Sequence, residues 1–308
     1  MTDRPAIMIM QRHLAPLSAF LDGAYVVYRL WEGPPVEAEG DIRALVVAGE
    51  FPLDKALIER LPNLVHIACF TAGYEQIDVD WCRARELILS HAPGVNHEDV
   101  ADHALALILA SRRQIAAGDR QVRAGGWTSE SKTITPSLKD QRVGVVGLGA
   151  IGEAVARRCQ ALRMTVSWWG PRARDAAWPM APSLLDLARD SDILVVACRA
   201  DDDNKGLISA EVIQALGPEG LLVNVARGQL VDEDALIQAL KAGRLGGAAL
   251  DVFEPEPTDP ARWADVPNTV LTPHTAGATT QAVQAMLMLL LQNLDAGLNG
   301  RPLVTPIP

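Results

Sequence analysis

The chain has 308 residues, 49% of them hydrophobic and 21% charged, with a formal net charge of -10. That length suits about two domains with cores of their own and excludes a disordered chain, while the acidic balance repels nucleic acid and anionic membrane surfaces at long range. No apolar run approaches the ~18 residues of a membrane span and the first residues carry no cleavage signal, so a cytoplasmic protein is expected.

Short β-rich runs open the chain at Ile7 to Met10, Tyr25 to Tyr28, Ala44 to Val47, Leu64 to Ile67 and Leu87 to Leu89, with helical or turn-rich segments between them. That rhythm predicts a small parallel α/β domain. Leu14, Leu17 and Phe20 read as the packing face of a first helix, the alternative being an exposed apolar patch. Asn96 or Asp99 caps a helix expected from about Val100 to Arg113, where Val100, Ala104, Leu107 and Ile108 recur at helical spacing and the chain crosses to a second domain. Six more strands follow at Val143 to Val146, Thr165 to Trp169, Ile193 to Val196, Leu221 to Val223, Ala248 to Leu250 and Thr269 to Leu271, the number a dinucleotide fold requires. Helices are expected at Ser183 to Arg189 and Glu233 to Lys241, the latter ended by Gly243. The last helix, about Thr280 to Leu298, is too apolar to stand in solvent and is expected to dock on the first domain. The fold class is therefore α/β with two doubly wound parallel sheets and a cleft between them: a flavodoxin-like substrate domain over residues 1–97, completed by 277–308, and a Rossmann dinucleotide-binding domain over 98–276.

The stretch Gly147-Leu148-Gly149-Ala150-Ile151-Gly152 joins a buried strand to a helix with Gly-x-Gly-x-x-Gly spacing. Gly147 permits the tight turn, Gly149 lets backbone approach a pyrophosphate, and Gly152 lets the helix pack on its strand, with the amides around Ala150 and Ile151 facing phosphate. NAD-binding folds end the second strand with an acidic residue about 20 positions on, bonded to the ribose. Here the strand Val166-Ser167-Trp168-Trp169 runs into Gly170-Pro171-Arg172-Ala173-Arg174. Two guanidinium groups without a carboxylate favour NADP(H) over NAD(H), because planar forks suit a 2′-phosphate; the bland alternative makes Arg172 and Arg174 solvated loop charges.

Three residues follow late strands, where an open parallel sheet puts its ligand crevice. Arg227 lies in Asn224-Val225-Ala226-Arg227-Gly228, Glu256 in Asp251-Val252-Phe253-Glu254-Pro255-Glu256-Pro257, and His274 in Thr272-Pro273-His274-Thr275-Ala276-Gly277. Singly, each reads as a loop or surface residue; together, in register, they suit hydride reduction of a ketone. An imidazolium protonates the developing alkoxide, a carboxylate raises its pKa and fixes its tautomer, and a guanidinium clamps a 2-oxo carboxylate. His13, His66, His91, His97 and His103 have no carboxylate at a telling spacing and are read as packing or surface residues. Trp127, after Gly125-Gly126, is read as a structural anchor or a contact with substrate or a second subunit. Cys69, Cys82, Cys159 and Cys198 are scattered, which points to buried free thiols and to no metal site.

These four motifs together resemble the D-isomer-specific 2-hydroxyacid dehydrogenases, and the likeness spans the chain, since Ala72-Gly73-Tyr74 with Asp78 resembles that family's carboxylate loop and Pro93-Gly94-Val95 its crossing. The resemblance implies Arg227, Glu256 and His274 as catalytic trio and backbone amides near Ala72 and Gly73 as substrate donors. It places Gly147, Gly149, Ala150, Ile151, Gly152, Val225, Ala226, Asp251, His274 and Ala276 beside the cofactor, and it implies a homodimer built on the cofactor domains. Arg29-Leu30-Trp31 and the missing ribose acid resemble the glyoxylate/hydroxypyruvate and hydroxyphenylpyruvate reductase branch. NADPH-dependent reduction of small 2-oxo acids to D-2-hydroxy acids is the activity implied; a reductase of aryl pyruvates, or a corepressor-like NAD(H)-responsive protein-binding module of the same fold, is the alternative. Asp102, where many relatives carry Glu, and Arg199-Ala200-Asp201-Asp202-Asp203-Asn204, in place of a Pro-Leu-Thr pattern, depart from the family.

Overall fold

The computed structural model describes residues 4–33, 36–131 and 133–308, which divide into two compact units: residues up to Asn96 with Thr280–Pro308, and His97–Thr279. In the first unit the order is β1 (Ala6–Ile9), α1 (Ser18–Leu21), β2 (Val26–Arg29), β3 (Ile42–Val47), α2 (Lys55–Glu59), β4 (His66–Cys69), α3 (Val79–Arg83) and β5 (Ile88–Ser90). Its five strands are all parallel in the order β2-β1-β3-β4-β5. Strand side chains alternate between faces, so Ile7, Ile9, Ala44, Val46 and Ala68 join one core cluster and Met8, Leu45, Val47, Ile67 and Cys69 the other. Both faces are covered, which is why these strands read as continuous apolar runs rather than as alternation.

The second unit follows as α4 (His97–Arg112), α5 (Ile115–Arg123), β6 (Arg142–Val146), α6 (Ala150–Ala161), β7 (Thr165–Trp169), α7 (Leu184–Arg189), β8 (Ile193–Val196), α8 (Ala210–Leu216), β9 (Leu221–Asn224), α9 (Glu233–Lys241), β10 (Gly247–Leu250), α10 (Pro260–Trp263) and β11 (Thr269–Leu271). Six parallel strands lie in the order β11-β10-β9-β8-β6-β7, with a further parallel bridge from Trp168 to Met180 beyond β7. Val143, Val145, Ile193, Val195, Leu221 and Val223 pack toward α4 and α6, while Val146, Leu194, Val196 and Leu222 pack toward α7, α8 and α9. Strand order reverses between β6 and β8, so the carboxyl end of β6, where Gly147 stands, is the switch point at which such sheets bind ligands.

α11 (Thr280–Leu298) belongs to the first unit and lays Ala282, Met286, Leu290 and Leu294 on its sheet, the docking its apolar sequence demanded. Buried Asn293 accepts from the amides of Val304 and Thr305 and donates to Leu289 O and Thr305 Oγ1, so the last residues are sewn to the helix.

Some local expectations shift. α4 begins at His97 rather than near Val100, and β4 starts at His66 because Leu64 closes a turn onto Leu61 O and the ladder forms only afterward. Leu14 and Leu17 are core residues, but Phe20 is exposed, since the first helical segment is a 3-10 turn (Arg12–Leu17) running into a single α turn and does not keep one continuous face. Cys69, Cys82 and Cys159 are buried free thiols, Cys198 a half-buried one, and burial pushes the Cys159 thiol up to about 12. Among the described residues no helix is long and apolar enough to cross a membrane.

Candidate active site

The glycine turn has the geometry its spacing predicts. Gly147 takes φ +89°, and a Cβ there would lie 2.5 Å from the Cys198 backbone. A Cβ at Gly152 would stand 2.0 Å from Gly147 O, so this glycine is what lets α6 reach its strand. Gly149 differs: nothing lies within 4 Å of a Cβ built on it, and it caps the 12-residue helix α6 without a side-chain bond. An open glycine face at the unsatisfied amides of Ala150 and Ile151 is a cradle that fits a pyrophosphate.

At the end of β7 the chain passes through Gly170, and no carboxylate occupies the ribose position. Arg172 is exposed; Arg174 donates to Leu148 O beside the glycine turn and stands 3.4 Å from Glu153. Val225 and Ala226 are buried just beyond β9, where Asn224, itself buried, accepts from Ala226 N at 3.0 Å and donates to Arg227 O at 2.9 Å. This side-chain clasp turns the backbone so that Arg227 leaves the strand end, and Asn224 is a site residue that sequence reasoning passed over.

His274 and Glu256 meet directly, with Nδ1 2.6 Å from Oε2. The other carboxylate oxygen accepts from Phe253 N at 2.9 Å, so Glu256 is fixed at both ends. The bond from Glu256 raises the His274 pKa above its ordinary value against the lowering effect of burial, and the Arg227 charge also pulls it down. Burial pushes Glu256 up, but the bonds from His274 and Phe253 and the nearby Arg227 charge hold it below the usual carboxylate range. Arg227 thus lies within the electrostatic reach of both partners, and the three predicted residues form one constellation within the second unit.

His274 adopts φ +52°, a left-handed conformation uncommon for residues other than glycine. The backbone carbonyl of Asp251 accepts from His274 N at 2.8 Å, Oδ1 accepts from Thr272 Oγ1 at 2.6 Å and Thr275 N at 2.9 Å, and Oδ2 accepts from Ala276 N at 2.9 Å. Asp251 is fully buried, so its carboxylate faces the loop that carries His274.

Three of the histidines read as packing or surface residues lie near a carboxylate: His13 Nε2 is 3.9 Å from Glu50, His97 Nε2 is 3.5 Å from Glu98, and α4 brings His103 Nε2 within 3.0 Å of Thr272 Oγ1 and 3.4 Å of Asp251 Oδ1. The Thr272 hydroxyl proton is already directed at Asp251, so His103 Nε2 is the donor. No spacing rule finds a pair 169 positions apart.

In the first unit, the loop at Ala72 and Gly73 is tied down through its carbonyls. His91 Nδ1 lies 2.9 Å from Ala72 O, and Thr71 Oγ1 donates to Gly73 O at 2.9 Å. No hydrogen bond from the amides of Ala72 or Gly73 is found among the described residues. Gly49 backs this loop so closely that a Cβ there would meet Gly73 O at 2.1 Å. Trp127 is exposed in the stretch after α5, and Asp102 pairs with Arg158 Nε at 2.6 Å between α4 and α6.

Comparison with known proteins gives the family. The NAD-binding-domain model of the D-isomer specific 2-hydroxyacid dehydrogenases matches residues 105–276. Glyoxylate/hydroxypyruvate reductase A of Arabidopsis thaliana is 38% identical over 304 residues, 96% of this chain and 97% of the relative. The structure of a 2-hydroxyacid dehydrogenase from Ketogulonicigenium vulgare superposes with a TM-score of 0.92 at 38% identity, covering 99% of this chain and 98% of that one. That of an NADPH-dependent glyoxylate/hydroxypyruvate reductase from Sinorhizobium meliloti, in complex with NADP and malonate, gives 0.90 at 33% identity, covering 99% and 97%. The chain belongs to the D-isomer specific 2-hydroxyacid dehydrogenase family and is an oxidoreductase of the nicotinamide-dependent kind.

Proposed function

We propose that the protein reduces small 2-oxo acids of the glyoxylate and hydroxypyruvate type to D-2-hydroxy acids, with NADPH preferred over NADH. The observation that carries this reading is the 2.6 Å bond between His274 Nδ1 and Glu256. It occupies one ring nitrogen, leaves Nε2 for the substrate oxygen, and keeps the ring protonated to higher pH than a free imidazole. Bound reduced nicotinamide supplies the hydride. His274 gives its Nε2 proton to the oxygen that becomes the hydroxyl, and in the oxidative direction takes it back. Glu256 orients the ring and balances its charge; Arg227 attracts the substrate carboxylate and polarises the carbonyl. Asp251, fully buried, acts on the cofactor side by shaping the turn from Thr272 to Ala276.

Preference for NADPH is supported by Gly170 in place of a ribose acid and by Arg172 and Arg174 just beyond it. A homodimer is part of the reading: α5 and the chain after it expose Ile115, Val122, Trp127 and Ile134, apolar surface that a second copy would cover. Free cysteine thiols fit a cytoplasmic location.

Steady-state kinetics with glyoxylate, hydroxypyruvate and an aryl pyruvate, each with both cofactors, test the proposal. The expected result is turnover of the two small acids and a kcat/KM with NADPH at least about tenfold above that with NADH, a gap that Arg172→Ala narrows. Absence of turnover with every 2-oxo acid sinks the reductase reading, and equal efficiencies with the two cofactors sink the arginine argument.

A further inference from the structure

Buried Glu233 has no part in the chemistry above, yet it touches the loop that carries Glu256. It stands in the first turn of α9 with Oε1 accepting from Glu254 N at 2.8 Å. Its second oxygen faces Arg262 Nε of α10 at 3.3 Å, and Arg262 also bonds Asp234 at 2.8 Å. Pro255 and Pro257 have no N–H, so between residues 253 and 257 only Phe253, Glu254 and Glu256 offer backbone donors. Phe253 N is bonded to Glu256 itself, whereas the Glu254 amide ties the loop to another element, α9. Gly228, next to Arg227, presses on the same point: a Cβ there would lie 2.0 Å from Phe253 C and 2.6 Å from Glu254 N. The Arg227 segment and the Glu256 loop therefore lie in backbone contact, and Glu233 bonds the Glu256 loop through the Glu254 amide.

We propose that Glu233 is a positioning residue for Glu256, its buried carboxylate holding the proline-bounded loop by the Glu254 amide so that Glu256 reaches His274. This rests on the catalytic reading of the Glu256–His274 pair. Burial of a carboxylate is costly and raises the Glu233 pKa; its Oε2, 3.3 Å from Arg262 Nε, makes no hydrogen bond among the described residues, so the bond from the Glu254 amide to Oε1 is the contact that holds the loop. The charged groups around Glu233 are Arg262, Glu254 and Asp234; those around His274 are Glu256, Arg227 and Asp251. A loop that drifts weakens the bond that raises the His274 pKa. Reduction requires protonated His274, so its rate falls as pH rises through that pKa, and loss of the anchor moves the fall to lower pH.

The test compares wild type with Glu233→Met, which keeps side-chain length without an acceptor, and Glu233→Gln, which keeps the acceptor without the charge. Glyoxylate reduction is followed across pH, with thermal unfolding to confirm the folded fraction. Glu233→Met is expected to lower kcat about tenfold and to move the alkaline limb down by about half a pH unit, with KM for NADPH unchanged; Glu233→Gln restores most of kcat and the limb. Indistinguishable Met and Gln variants, or a Met variant with the wild-type limb, overturn the proposal. Should the Met variant not fold, Glu233→Asp, which withdraws the carboxylate from the Glu254 amide, takes its place: a limb moved to lower pH with reduced kcat supports the anchor, and a wild-type limb and kcat overturn it. Wild-type turnover, measured alongside, separates failure of this proposal from failure of the reductase reading.

Discussion

His66 and His274 are the same side chain at two parallel sheets, and their surroundings drive them in opposite directions. His66 lies fully buried on β4, its Nε2 2.9 Å from Ser90 Oγ and its Nδ1 without a partner, against α11 at Gly297, where a Cβ would stand 2.6 Å from that nitrogen. Burial lowers its pKa to about 4, so it is neutral packing. His274 stands partly exposed beyond β11 beside a carboxylate, and its pKa is raised. A histidine in a strand interior serves the core; one past a strand end, where the backbone is free to turn, can be given a partner and a task.

The comparison predicts its own largest test. His274→Ala should lower kcat by about two to four orders of magnitude while NADPH binding stays near wild type; a loss below tenfold would mean a different proton donor. His66 should instead reveal itself in stability. Its folded pKa lies below the unfolded value near 6.5, so the unfolded chain binds the extra proton first, and stability present above pH ~6.5 should fall by up to about 3 kcal/mol as pH drops toward 4. Denaturant unfolding at several pH values checks this against His66→Gln, whose curve should be flatter over that range. Next comes Glu256→Gln, which removes the charge that raises His274; the alkaline limb of reduction should move to lower pH, and an unmoved limb would refute the pairing as the cause. The smallest effect is expected of His66→Gln on catalysis, with kcat within about twofold of wild type and the limb in place.

Much of this was legible from residues in a row. The strands Thr165–Trp169, Ile193–Val196 and Thr269–Leu271 and the helices Glu233–Lys241 and Thr280–Leu298 coincide with their sequence patterns, because apolar runs and caps act over a few residues. Arg227, Glu256 and His274 were found because each follows a strand, and parallel sheets bring strand ends to one edge. His103 was read as a packing or surface residue because it meets Thr272 only through the packing of α4, and Asn224 and Glu233 escaped notice because they look like an ordinary strand end and helix start. Phe20 was misread for the complementary reason, since apolar spacing does not tell a 3-10 turn from an α-helix.

The amino-acid sequence alone determined two parallel α/β units, a glycine turn that fits a dinucleotide and a trio of chemically matched side chains. These are local properties of periodicity, glycine backbone freedom and side-chain type. Only the tertiary structure decided that Asp251 turns inward to bond the loop on which His274 takes a left-handed backbone, and that Glu233 and His103 meet the loops of Glu256 and His274. Those contacts join residues far apart in the chain, and which groups meet is set by the order of the strands and the packing of helices on them.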